Sequence, residues 1–158
     1  MRTIALLSTL LLALVAVGCS SDTKTYSFQV SVKNATNRPI TIWLVKDGPP
    51  VEQGWRSPEQ LAMSLPGHEE RISGAVIPPG KSADTGTREG KFAPGTYAWL
   101  RVYDGPQRLS EILAISRGNP ARLDVPLDPG ICRIVIKDQA GRIKASQEAQ
   151  PVLAAPAP

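Results

Sequence analysis

Short stretches of alternating apolar and polar residues, each closed off by Gly, Pro, Asn or Asp, recur between residues 25 and 147 and leave this chain few folds to adopt. A period of two sends successive side chains to opposite faces, so each stretch reads as a half-buried strand. YSFQVSV sets Tyr26, Phe28, Val30 and Val32 against Ser and Gln, and PITIWLVK sets Ile40, Ile42 and Leu44 against Trp43 and Val45. ICRIVIKDQAGRIKAS reads as two strands joined by a turn at Gln139-Ala140-Gly141, with Cys132, Ile134 and Ile136 on one face and Arg133 and Lys137 on the other. RISGAVIPPG, TYAWLRVY, LSEILAIS and ARLDVPL supply further strands, while PPGKSADTG reads as a bend between them. About eight closely spaced strands predict an all-β antiparallel sandwich over residues 25–147.

One stretch departs from the period. In WRSPEQLAMSLPG, Ser57 can cap a helix, Pro58 suits its first position, Gln60 completes a capping box, and Pro66-Gly67 ends it. The expected helix, about 58–64, is inserted between two strands. Two turns are not stable alone, so it must lie on the sandwich.

The N-terminus has a different character. MRTIALLSTLLLALVAVGCSS carries one positive charge at Arg2, an apolar run from Ile4 to Val17, and Gly18 directly before Cys19. That run is shorter than the ~20 residues of a spanning helix and fits a cleaved export signal, residues 1–18. Ala16-Val17-Gly18-Cys19 resembles the lipobox of bacterial lipoproteins. The resemblance implies that Cys19 becomes a lipidated N-terminus, the membrane being a partner through its acyl chains, each buried methylene of which is worth ~0.8 kcal/mol. Ser20 after the cysteine, where Asp would imply inner-membrane retention, implies an outer-membrane protein facing the periplasm. Residues 19–24 are then a polar tether, and the Ala/Pro-rich residues 148–158 an unstructured tail.

Composition narrows the chemistry. The whole-chain net charge is +4, and no two Lys or Arg are adjacent, which argues against nucleic acid as a partner. Of the 2 cysteines, lipid on Cys19 leaves Cys132 alone, so no internal disulfide is expected, and its apolar strand makes it a small buried residue. The single histidine, His68, sits in the polar LPGHEER loop. With Ser57, Ser64 or Ser73 it supplies the alternative reading, a hydrolase, although no Gly-x-Ser-x-Gly elbow exists. One histidine cannot furnish a zinc or copper set, and Asp47, Asp84, Asp104, Asp128 and Asp138 occupy turns, where capping amides is their ordinary role. No catalytic residue, metal or cofactor is therefore assigned.

FAPGTYAWLRVYDG poses the question on which any binding role turns. It places Tyr97, Trp99, Arg101 and Tyr103 on one face of a strand and Ala98, Leu100 and Val102 on the other. Burying Arg101 in the core would strand a guanidinium at several kcal/mol of desolvation cost, so the aliphatic set should face inward. The aromatic row then faces outward. It is either covered by the inserted Trp55–Leu65 segment, which is expected, or open as a surface for a glycan or another envelope protein.

KFAPGTYAWLRVYDG, through Phe92, Pro94, Gly95 and Tyr97, resembles the aromatic-x-Pro-Gly-x-Tyr turn and strand of the transthyretin-like, carboxypeptidase regulatory-like domains. NPARLDVPL is similar to their last strand and VKNATNRPITIWL to their opening strand pair. The resemblance implies a single Ig-like or transthyretin-like antiparallel β-sandwich that is non-catalytic and serves as a spacing or interaction module.

Overall fold

In β1 (Lys24–Asn34), Phe28, Val30, Val32 and Asn34 are buried while Ser27, Gln29, Ser31 and Lys33 point away from the core. The same period buries Ile40, Ile42 and Leu44 of β2 (Ile40–Asp47), Ala98, Leu100 and Val102 of β5 (Tyr97–Asp104), and Cys132, Ile134 and Ile136 of β7 (Gly130–Gln139). The computed structural model describes residues 22–64, 75–105, 109–112 and 122–148. Within them the strands form two sheets, ordered β4-β1-β7-β8 and β3-β2-β5-β6, whose apolar faces meet in one core. The remaining strands are β3 (Ala75–Ile77), β4 (Ser82–Phe92), β6 (Arg122–Leu127) and β8 (Arg142–Gln147). The protein is an all-β sandwich.

Three expectations need correction. Of PPGKSADTG, only the residues before Ser82 form the expected bend; Ser82 begins the eleven-residue edge strand β4, paired with β1. The period is broken there by a bulge opposite Val30, where Gly86 takes φ +67° and its amide donates to Asp84 Oδ1 at 2.7 Å. Arg88 and Gly90 then replace apolar residues at positions paired with Phe28 and Tyr26. In LSEILAIS, Leu109–Ile112 is a helical turn, α2, and the rest lies outside the described residues. Finally, the sandwich is not wholly antiparallel. β1 and β7 run parallel from Phe28↔Gly130 to Asn34↔Ile136, and alternation, which is identical in both directions, carries no information about this.

Other expectations hold. β7 and β8 form the hairpin, with Ala140 at φ 52° and Gly141 at φ 74°, the left-handed pair that a two-residue turn with the strands' own twist requires. Cys132 is buried, its thiol pushed upward chiefly by burial. The inserted helix α1 is Pro58–Ser64, and its capping box closes reciprocally: the Gln60 amide donates to Ser57 Oγ at 3.1 Å and the Ser57 amide to Gln60 Oε1 at 2.8 Å.

Trp55 fixes where that insertion begins. It ends a 3-10 turn, Gln53–Trp55, and lies edge-on to Phe28 at 5.5 Å and Phe92 at 5.6 Å between centroids. Its indole N–H donates to Glu89 O at 2.9 Å on the outer edge of β4. A Cβ at Gly90 would stand 2.6 Å from the indole nitrogen, so this strand position must lack a side chain for the ring to seat. Gly90→Ala should therefore cost ~1–3 kcal/mol by overpacking. Urea unfolding measures it, and Trp55→Phe, with its smaller ring, should reduce the penalty.

Candidate functional site

β5 presents its aromatic row on the outside of the second sheet, with Ala98, Leu100 and Val102 inward as expected. The row is not uniform. Tyr97 is 61% exposed, Trp99 is half-buried, and Tyr103 is wholly buried. Pairing sets Trp99 between Val45 and Pro126, Arg101 between Trp43 and Asp124, and Tyr103 between Thr41 and Arg122. At the Arg101–Tyr103 end, α1 and α2 lie over the sheet, and Ile112 of α2 packs with Tyr103 and Trp43. Arg101 and Tyr103 are thus not offered to a partner, and the exposed part of the candidate surface shrinks to Tyr97 and the open portion of Trp99.

The cover is held by charge. Trp43 donates its indole N–H to Arg56 O at 2.9 Å, bringing the chain from Trp55 onto the outer face just before the capping box. One turn on, Glu59 receives Tyr103 Oη at 3.1 Å and Arg122 Nη1 at 3.0 Å on one carboxylate oxygen and Arg101 Nη1 on the other. Asp124 takes Arg122 in a two-pronged pair, Nε at 3.0 Å and Nη2 at 2.7 Å, and Arg101 Nε at 3.2 Å. Two guanidinium groups face two carboxylates, so the cluster balances as it is withdrawn from water. Arg101 is nonetheless only 12% exposed. The cost of burying it was avoided in the core and met on the outer face by direct pairing.

Burial disfavours the charge on Arg122, but its hydrogen bonds to Asp124 and the field of Glu59 outweigh it and raise its pKa. Burial, reinforced by Glu59, also pushes the Tyr103 phenol well above its usual value.

A second buried charge was not evident from sequence. Lys46, at the inward-facing end of β2, has a side chain only 1% exposed. It donates to Glu52 and, at 2.7 Å, to Lys91 O, with Nζ 5.2 Å from the Phe92 ring centre. Burial works to raise the Glu52 carboxyl, yet Lys46 and the Lys91 amide at 3.0 Å together lower it. Alternation from Ile40 would have placed Lys46 inward, and only its charge hid the role. Two open clefts flank these groups. One, of about 340 Å³, is lined by Ile42, Leu44, Gly54, Asp84, Thr85 and Arg88, among others; another, of about 280 Å³, by Lys46, Glu52, Trp55 and Gln60, among others. Arg88 donates to Gly54 O at 2.8 Å and lies over the Trp55 ring, a latch across the seam.

Cys19, His68 and Ser73 lie outside the described residues. Of the two described serines near His68 in sequence, Ser57 caps α1, and Ser64 Oγ donates to Gln60 O at 2.8 Å and accepts from Arg56. Among the described residues no group of three His, Cys, Asp or Glu could hold a metal ion. No protein-family model matches the chain, and no curated protein sequence matches it.

Two measurements probe this face. Above ~10 the unfolded chain releases a tyrosine proton that folded Tyr103 keeps, so its contribution is intact below that pH and falls as pH rises, by about 1.4 kcal/mol per unit. Wild type should exceed Tyr103→Phe in stability at neutral pH by ~1 kcal/mol, the worth of the lost hydrogen bond, and denaturant titrations from about pH 9 to about pH 11 should show that lead shrinking. The Trp99 indole N–H, by contrast, is buried with no acceptor among the described residues. Trp99→Phe removes an unsatisfied donor costing ~1–3 kcal/mol and should change stability by less than Trp43→Phe, which orphans the Arg56 carbonyl.

Proposed function

We propose that the chain is a membrane-anchored, non-catalytic binding or structural module of the cell envelope, attached by lipid on Cys19 with its sandwich facing the periplasm. The observation that carries this reading is the short apolar leader ending at Gly18-Cys19. The site chemistry supports it. Five charged side chains largely withdrawn from water, Arg101, Arg122, Glu59, Asp124 and Lys46, are committed to partners that fasten an insertion to a sheet or close its end. Groups held this way act as ties, whereas a reacting acid or base needs an open proton path to a substrate. The likeness of Phe92, Pro94, Gly95 and Tyr97 to the transthyretin-like turn is consistent with a spacing or interaction module, with Tyr97 and Trp99 as the aromatic contacts left for a glycan or envelope protein.

Radiolabelled palmitate tests the anchor. In a bacterial host, wild type should take up label and sediment with membranes, and Cys19→Ala should lose the label. If Cys19→Ala is labelled as wild type is, the lipoprotein reading is wrong.

A further inference from the structure

The outer face of the first sheet differs from the covered face of the second. Lys33 of β1, Arg133 and Lys137 of β7, and Arg142 and Lys144 of β8 are all exposed and point to this side. Register places Lys33 beside Val135, with Arg133 and Lys137 two residues to either side, and sets Lys137 directly opposite Lys144. Among the described residues none of the five makes an ion pair, while Arg101 and Arg122 on the other face are both neutralised. Like charges opposite each other destabilise a sheet, so Lys137–Lys144 is a cost borne without any internal return. The nearest described acids on this side are Asp84 and Glu89 on β4, the strand next to β1, where Asp84 stands two residues from the position opposite Lys33, and Glu148, whose amide bonds Arg133 O at 2.9 Å; none of them is ion-paired to the five, which outnumber them.

We propose that this face docks on anionic phospholipid headgroups of the membrane that holds the chain, an inference that rests on the Cys19 anchor. The face is a pleated sheet that can present its cations to a plane together. Its described residues include no aromatic side chain on which bases or sugar rings could stack, but they do expose Ile131, 55% accessible, for shallow apolar contact. The attachment point adds the geometry. Four residues separate Cys19 from Lys24, five steps of chain with a reach of at most ~18 Å, and β1 then carries the chain about 30 Å to Lys33. Lipid at one end of β1 and cations at the other hold the face at two points and lay it along the membrane. Basic residues near an anionic surface each contribute roughly a fivefold factor in partition, so five act together strongly, and salt weakens them.

The test uses the full chain, purified with its lipid and reconstituted into vesicles of phosphatidylcholine alone or with phosphatidylglycerol at about a third of the lipid. Acylation of Lys33, Lys137 and Lys144 by an amine-reactive label, read by mass spectrometry, should be slowed at least roughly fivefold by phosphatidylglycerol and should recover in about 0.5 M salt. Lys137→Glu with Lys144→Glu should return Lys33 to its rate in neutral vesicles. Equal rates in both vesicles, in a chain that does sediment with them, overturn the docking face while leaving the anchor standing; a chain without palmitate on Cys19 overturns the anchor reading separately. Protection by dextran sulfate but not by phosphatidylglycerol would assign the face to an acidic glycan and also overturn the proposal.

Discussion

The seat of Trp55 decides how this sandwich is closed. Two stacked sheets leave a seam at their edges, and here the seam lies between β4 and the end of β2 that the short edge strand β3 does not cover. Trp55 fills it, resting against Phe28 and Phe92, beneath the Arg88 guanidinium and bonded to Glu89 O. That last bond has a second effect. The carbonyls of Glu89 and Lys91 and the amide of Lys91 face away from β1, where a free edge would invite another strand. Trp55 takes the first, Lys46 the second and Glu52 the third, so the edge is capped by side chains. Arg88, a charge pointing inward on an edge strand, works against strand addition in the same way.

The seating of Trp55 also sets the path of the chain beyond it. With the ring in the seam, the next residue is already at the rim of the second sheet, and Trp43 captures Arg56 O there. The capping box then starts α1 within two residues, before the chain can leave the surface. α1 carries Glu59 to the place on the outer face where two arginines and a phenol converge. A helix of seven residues has little stability of its own, and fixing both ends of its approach supplies what length does not.

How much of this could be read from the chain depends on what each residue has to say locally. Strands whose inner face carries a run of apolar residues, such as those around Val30, Leu44, Leu100 and Ile134, announced themselves, and so did α1, because Ser57, Pro58 and Gln60 speak only to each other. β4 did not, since its inward positions hold Arg88 and Gly90, which make sense only once Trp55 occupies the space between the sheets. Leu109–Ile112 was ambiguous because a short apolar run fits either period. Arg101 shows the same limit from the other side. Charge correctly kept it out of the core, but its burial under Glu59 depends on a partner 42 residues away. The parallel pairing of β1 with β7 is a property of topology and leaves no local trace.

The two outer faces solve the same electrostatic problem in opposite ways. On the second sheet, charges lose water beneath α1, and only a matched set of two cations and two anions at hydrogen-bonding distance makes that tolerable. On the first sheet the outward charged residues of β7 and β8, Arg133, Lys137, Arg142 and Lys144, stay open to solvent, so they remain hydrated and pairing is not required of them. Hydration makes such a cluster tolerable without making it favourable: a chain selected for stability alone could place Glu or Thr opposite Lys137 at a gain. Covered and matched charge serves the fold, whereas exposed and unmatched charge is left available to something outside it.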